Sequence, residues 1–172
     1  TGVASFDANT LATEAGTGIT GGTGTIYRSS VIRTGGIIHT NILIDLTGLR
    51  STASGDIIGV NGTSNVCHIG QITAARNGTI LAGRMTCFEA PAGGDPDINV
   101  HSATESTGVE DGAISDLTET LLVNAGDASV GSVVIFTGVP AADEFLYLTL
   151  GATTDADYTA GKLLIELFGY EA

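Results

Sequence analysis

The stretch Ile37-Ile-His-Thr-Asn-Ile-Leu-Ile-Asp-Leu46 decides the fold class. With a period of two, Ile38, Thr40, Ile42, Ile44 and Leu46 fall on one face, and Ile37, His39, Asn41, Leu43 and Asp45 on the other. That is the alternation of a half-buried β-strand, and the first face is the expected core. Just upstream, Gly35-Gly36 can supply the positive φ that a tight turn needs, joining strands near 25–33 and 36–46.

Outward from this pair the same composition continues. Segments rich in Ile, Val, Thr and aromatics alternate with Gly, Asn and Asp clusters at short intervals, and 25 Gly stand beside 24 Thr. Further strands are expected near 56–60, 66–76, 79–88, 97–104, 117–123, 130–137, 144–150 and 162–169. The expected fold is all-β, an antiparallel β-sandwich of at least eight strands. Leu146, Leu148 and Leu150 share one face of their strand, as do Leu163, Ile165 and Leu167, and both sets should close the core. Residues 1–24 read as a Gly/Thr-rich N-terminal arm and 25–172 as a single sandwich domain.

Asn77-Gly78, flanked by β-like runs, is a hairpin signal. A two-residue turn there would face Arg76 with Thr79, Ala74 with Leu81, Gln71 with Arg84 and His68 with Cys87. Cys67 and Cys87 would then point to opposite faces of one hairpin, and both are expected to remain thiols.

The 172-residue chain is long enough for a core without metal or disulfide staples. With 42% hydrophobic and 15% charged residues, it should fold. No apolar run approaches a membrane span and no basic, apolar leader opens the chain. The formal charge is −13, and its placement is uneven: from Met85 to Gly161 there are thirteen acids and no Lys or Arg. Such a field repels phosphate backbones and anionic lipid, so neither nucleic acid nor membrane is an expected partner. The acidic stretch reads as solvated surface, with a partner-facing or cation-binding surface as the alternative.

Several chemical motifs begin and then fail. Gly16-Thr-Gly-Ile-Thr-Gly21 matches G-x-G-x-x-G, but no hydrophobic strand precedes it and no helix follows to hold a pyrophosphate. Asp95-Pro-Asp-Ile-Asn99 starts like a calcium loop, yet Val100 stands where Gly is needed and Ser106 where Glu is needed. A turn entering a strand is the better reading. His39, His68 and His101 lie far apart, outside any recognised ligand spacing, and read as packed or surface histidines. His68 opposite Cys87 would be half a zinc site, without a second pair. There is no G-x-S-x-G, and no spacing singles out a carboxylate pair for glycoside hydrolysis. Asn61-Gly-Thr and Asn77-Gly-Thr are formal sequons, relevant only in a eukaryotic secretory setting. No catalytic, cofactor-binding or metal-binding residue is assigned, and no cofactor is expected.

Longer runs carry a family resemblance: Val31-Ile-Arg-Thr-Gly-Gly-Ile-Ile-His-Thr-Asn-Ile-Leu-Ile-Asp-Leu-Thr-Gly-Leu49, then Asp56-Ile-Ile-Gly, His68-Ile-Gly-Gln-Ile-Thr and Glu89-Ala-Pro-Ala-Gly-Gly-Asp-Pro-Asp-Ile98. Phe145-Leu-Tyr-Leu-Thr-Leu-Gly and Tyr158-Thr-Ala-Gly-Lys-Leu-Leu-Ile-Glu-Leu-Phe-Gly-Tyr170 complete it. Over residues 25–170 the chain resembles the small accessory virion proteins of tailed phages of marine bacteria, the capsid cement or decoration class. The resemblance implies a jelly-roll-like sandwich assembled in copies on a capsid shell, with the major capsid protein as partner. It implies a non-enzymatic role and a virion location, reached by assembly in the host cytoplasm, with the homo-oligomer a trimer on threefold positions. No functional residue carries over from the class. Self-association also follows from the residues, because positive mean hydropathy in a 17.3 kDa chain leaves more apolar side chains than one small sandwich hides. The alternative is a carbohydrate- or receptor-binding sandwich, although a chain without Trp is poorly equipped for sugar stacking.

Overall fold

The computed structural model describes residues 27–60, 66–152 and 155–171. The arm at 1–24 and the Asn61 sequon lie outside them, as does the Gly16–Gly21 motif. The described strands are β1 (Tyr27–Thr34), β2 (Ile37–Asp45), β3 (Leu49–Ser51), β4 (Gly59–Val60), β5 (Thr79–Ala92), β6 (Ile98–Ala103), β7 (Glu119–Val123), β8 (Val133–Ile135), β9 (Phe145–Leu150), β10 (Ala156–Asp157) and β11 (Ala160–Tyr170). All their pairings are antiparallel. They form a five-stranded sheet, β1-β2-β11-β5-β8, and two three-stranded sheets, β7-β6-β9 and β10-β3-β4. The chain is therefore an all-β, antiparallel, sandwich-like protein. This strand order is not by itself a jelly roll.

The β1–β2 hairpin follows the expectation closely. Gly35 and Gly36 both have positive φ, 58° and 81°, as a tight two-residue turn requires. Tyr27 pairs with Ile44 and Thr34 with Ile37. Ile38, Thr40, Ile42, Ile44 and Leu46 are all buried. The two leucine-rich strands close the core from opposite sides. Leu163, Ile165 and Leu167 point inward from the five-stranded sheet, Leu146, Leu148 and Leu150 from β7-β6-β9, and all six join one apolar cluster.

The second face of the sheet β7-β6-β9 is covered over β6 and β9. There Ala103 and Tyr147 pack with Ile57, Cys67 and Ile114, which arrive on the flanking loops. The Tyr147 hydroxyl donates to the Glu105 carbonyl at 2.8 Å and accepts the Gly108 N–H at 3.3 Å, fixing that loop layer. Tyr158 similarly donates to the Asp95 carbonyl at 2.8 Å.

The Asn77-Gly78 hairpin is not formed, and residues 66–76 are not a strand. Residues Ala74–Asn77 make one helical turn, α1, whose first N–H groups are met by Thr73: its hydroxyl accepts from the Arg76 N–H. The Asn77 side chain is buried and bonded at both ends, donating to Thr40 Oγ1 at 2.9 Å and accepting the Thr73 N–H at 3.0 Å. Buried in this way, Asn77 presents no sequon at the surface. Segment 66–72 instead borders β9 through separate contacts, including Ile69 N–H to the Leu146 carbonyl and the bridge Gln71 to Phe145. β5 takes β11 and β8 as its neighbours.

Candidate interaction surface

Because loops cover β6 and β9 on their second face, the outer face of the five-stranded sheet is the broadest sheet face left open among the described residues. Its side chains follow from the strand registers as rows running across the sheet. One row is Ile32, His39, Phe168 and Ala82, and the next is Ser30, Asn41, Glu166, Arg84 and Ile135. A third is Arg28, Leu43, Leu164, Thr86 and Val133. Two mainly apolar rows thus flank a polar one. Ile32, Leu43, Val133 and Ile135 are all exposed, Ile135 to 63%. Exposed large apolar groups in one contiguous patch mark docking surfaces far more often than scattered ones do.

The polar row is internally satisfied. Glu166 is only 7% exposed, under its neighbours. It accepts from Arg84 Nε, and His39 Nε2 lies 3.3 Å from its other oxygen. The Arg84 guanidinium holds the Glu166 carboxyl below its ordinary value of 4.5, so this ion pair contributes stability above that pH and loses it on acidification. Phe168 lies between the two bases, stacked on His39 at 4.7 Å with the Arg84 guanidinium 5.8 Å from its ring centre. Lys162 pairs with Glu89 at the end of the face.

The other residues singled out by sequence are dispersed. Cys67 and Cys87 form no disulfide, as expected, but they belong to different apolar clusters rather than to one hairpin. Burial pushes the Cys67 thiol up to about 11. Cys87 faces Leu163 and not His68. His68 is buried against the rings of Phe145 and Tyr147, and burial favours its neutral form, so the half zinc site is not assembled. His101 meets Glu119 at 2.6 Å. All three histidines are packed or paired side chains. A void of about 10 Å³ at α1, lined by Ser29, Thr40 and Asn77 among others, holds one water at most.

None of the thirteen acids between Met85 and Gly161 is buried. Asp95-Pro-Asp-Ile-Asn99 is the expected turn into a strand: Asp95 Oδ1 accepts the Asp97 N–H at 3.0 Å and β6 begins at Ile98. Burial, with Asp95 and Asp127 nearby, raises the Asp97 pKa. The folded chain therefore binds that proton more tightly than the unfolded chain, and the charged form costs stability once pH exceeds the folded value. Asp97→Asn should raise the melting temperature at pH 7 by about 2–4 °C, and the gain should vanish near pH 3. Thermal unfolding at the two pH values tests this, and an equal effect at both would refute the cost of charging Asp97 in its half-buried place beside Asp95 and Asp127.

Sequence reading had placed Ile37, His39, Asn41, Leu43 and Asp45 off the core face, which is one strand of this surface. It missed the pairing of β2 with β11 that widens the strip into a sheet face. The inward set Leu163, Ile165 and Leu167 implies that Leu164, Glu166 and Phe168 face outward, and this alternation was the available signal. Compared with protein-family models, with curated proteins and with solved structures, the chain finds no match.

Proposed function

We propose that this protein is a non-enzymatic structural subunit of a virion, a capsid cement or decoration protein that bridges neighbouring subunits of the major capsid protein. The observation that carries the reading is the open face of the five-stranded sheet, which exposes Ile32, Leu43, Val133 and Ile135 on a closed core. A protein of this shape works by burying surface against other proteins. The resemblance of residues 25–170 to accessory virion proteins names the setting.

Stabilisation would come from mass action. A subunit that binds the assembled shell and not its dissociated parts shifts the shell toward assembly, by about 2.7 kcal/mol per site at a hundredfold excess over Kd. Residues 1–24 supply the bridging arm, and the acidic loops face solvent or a basic patch on the shell.

Particles with and without the protein, challenged by heat and osmotic shock, test the role. Complete particles should survive better, and removal of residues 1–24 should leave a folded domain whose capsid binding is weaker by tenfold or more. Equal survival of depleted particles would end the cement reading. Binding on a glycan array in that case would favour the carbohydrate-binding alternative.

A further inference from the structure

We infer that the outer face of the five-stranded sheet is where two copies of this chain meet, face to face about a two-fold axis. The inference rests on reading this face as a protein-docking surface, assigns that surface to a second copy, and leaves the remaining surfaces of the pair to meet a shell.

Charge decides the occupant. The face carries three cations, Arg28, Arg84 and Lys162, against three carboxylates, Asp45, Glu89 and Glu166, so the whole formal charge of −13 resides elsewhere on the chain. The rest of the chain carries the net negative charge, so two copies meeting there repel on balance, whereas through this face they meet no net field. Arg84 and Lys162 are already paired within the chain, to Glu166 and Glu89. The surface therefore selects weakly for a charged partner and tolerates its own copy.

Size and pattern agree. Four strands about 4.8 Å apart and about nine residues rising about 3.3 Å each, with the three-residue β8 at one edge, span ~600 Å². A standard interface buries ~800 Å² per partner. The row centred on Glu166 is flanked by the apolar rows through Phe168 and Leu164. A two-fold axis near its middle lays apolar rows on apolar rows, as an isologous contact demands. A single broad face of this kind closes a pair, and this differs from the trimer that the resemblance implies.

The full chain, measured by light scattering and sedimentation at micromolar concentration, should show twice the 17.3 kDa mass of one copy. Leu43→Glu on β2 and Ile135→Glu on β8 each place a new charge on the outer face without entering the core, and should raise the dimer Kd by roughly tenfold or more. Leu121→Glu is the control. It lies on β7, in the other sheet, is similarly exposed, and should leave the dimer intact. Circular dichroism melts establish that each variant folds, and the two face variants act on different strands, so loss of one to misfolding leaves the other.

A monomer at high micromolar concentration, a trimeric mass, or dissociation by Leu121→Glu alone would overturn the inference. So would a chain that is monomeric whole and dimeric once residues 1–24 are removed, since that result makes its own arm the occupant. A monomer that still protects capsids sinks the dimer and spares the cement role. A dimer that gives no protection does the reverse.

Discussion

Gly78→Ala should destabilise the fold by about 3–5 kcal/mol, far more than a replacement at a turn glycine with open space around it. Gly78 sits at φ 68°, ψ −158°, a region that residues with a Cβ essentially do not enter. A Cβ there would also stand 2.3 Å from the Tyr170 carbonyl oxygen and 2.7 Å from Ile38 Cδ1. The first obstacle is backbone of β11, with the Tyr170 carbonyl carbon at 2.9 Å beside it, and backbone cannot step aside as a side-chain end can. Gly55 is the comparison, because its φ is also positive, 83°, but nothing lies within 4 Å of an added Cβ. Gly55→Ala should cost only the backbone strain, about 1 kcal/mol. Urea unfolding of both variants checks the ordering. Equal losses would show that the close approach of residue 78 to β11 is wrong.

Ile165→Ala should cost about 2–5 kcal/mol, while Leu164→Ala beside it should cost less than about 1 kcal/mol. Ile165 is fully buried, with Ile42 and Met85 as its neighbours across the sheet. Truncating it leaves a void between two sheets held apart by the rest of the core. Leu164 points the other way, onto the open face, where little packing is lost within one copy. The contrast must be measured at a concentration where the chain is monomeric. Under conditions of self-association, Leu164→Ala should become costlier while Ile165→Ala stays the same. Similar losses for both residues in the monomer would contradict the division of β11 into an inner and an outer face.

The strands were legible where one face is buried and the other is not. Alternation from Ile37 to Leu46 reads correctly because a shift of one residue would expose every core side chain. Asn77-Gly78 misled for a local reason. Thr73-Ala-Ala-Arg carries a capping residue followed by two good helix formers, and this competing signal won, ending in the buried amide of Asn77. The partner of β5 was not legible at all, since Met85 pairs with Ile165 far along the chain and nothing near either residue encodes the match. The same gap hid the candidate surface. Surplus hydrophobicity pointed to burial between subunits, but its location depends on β2, β11 and β5 lying side by side, which only long-range pairing supplies.

That pairing also bears on how the chain is made. β11, at residues 160–170, lies in the interior of the five-stranded sheet, between β2 and β5. The two strands it must join are finished by residue 92. At about ten residues per second, several seconds of synthesis separate them from the strand that unites them. During that interval β2 and β5 each hold an unpaired edge beside apolar side chains, the condition in which nascent sheets stick to their neighbours. Such a chain completes its main sheet late, by insertion of a strand rather than addition at an edge. Its yield in a cell should therefore depend on how crowded the ribosomes are with copies of itself.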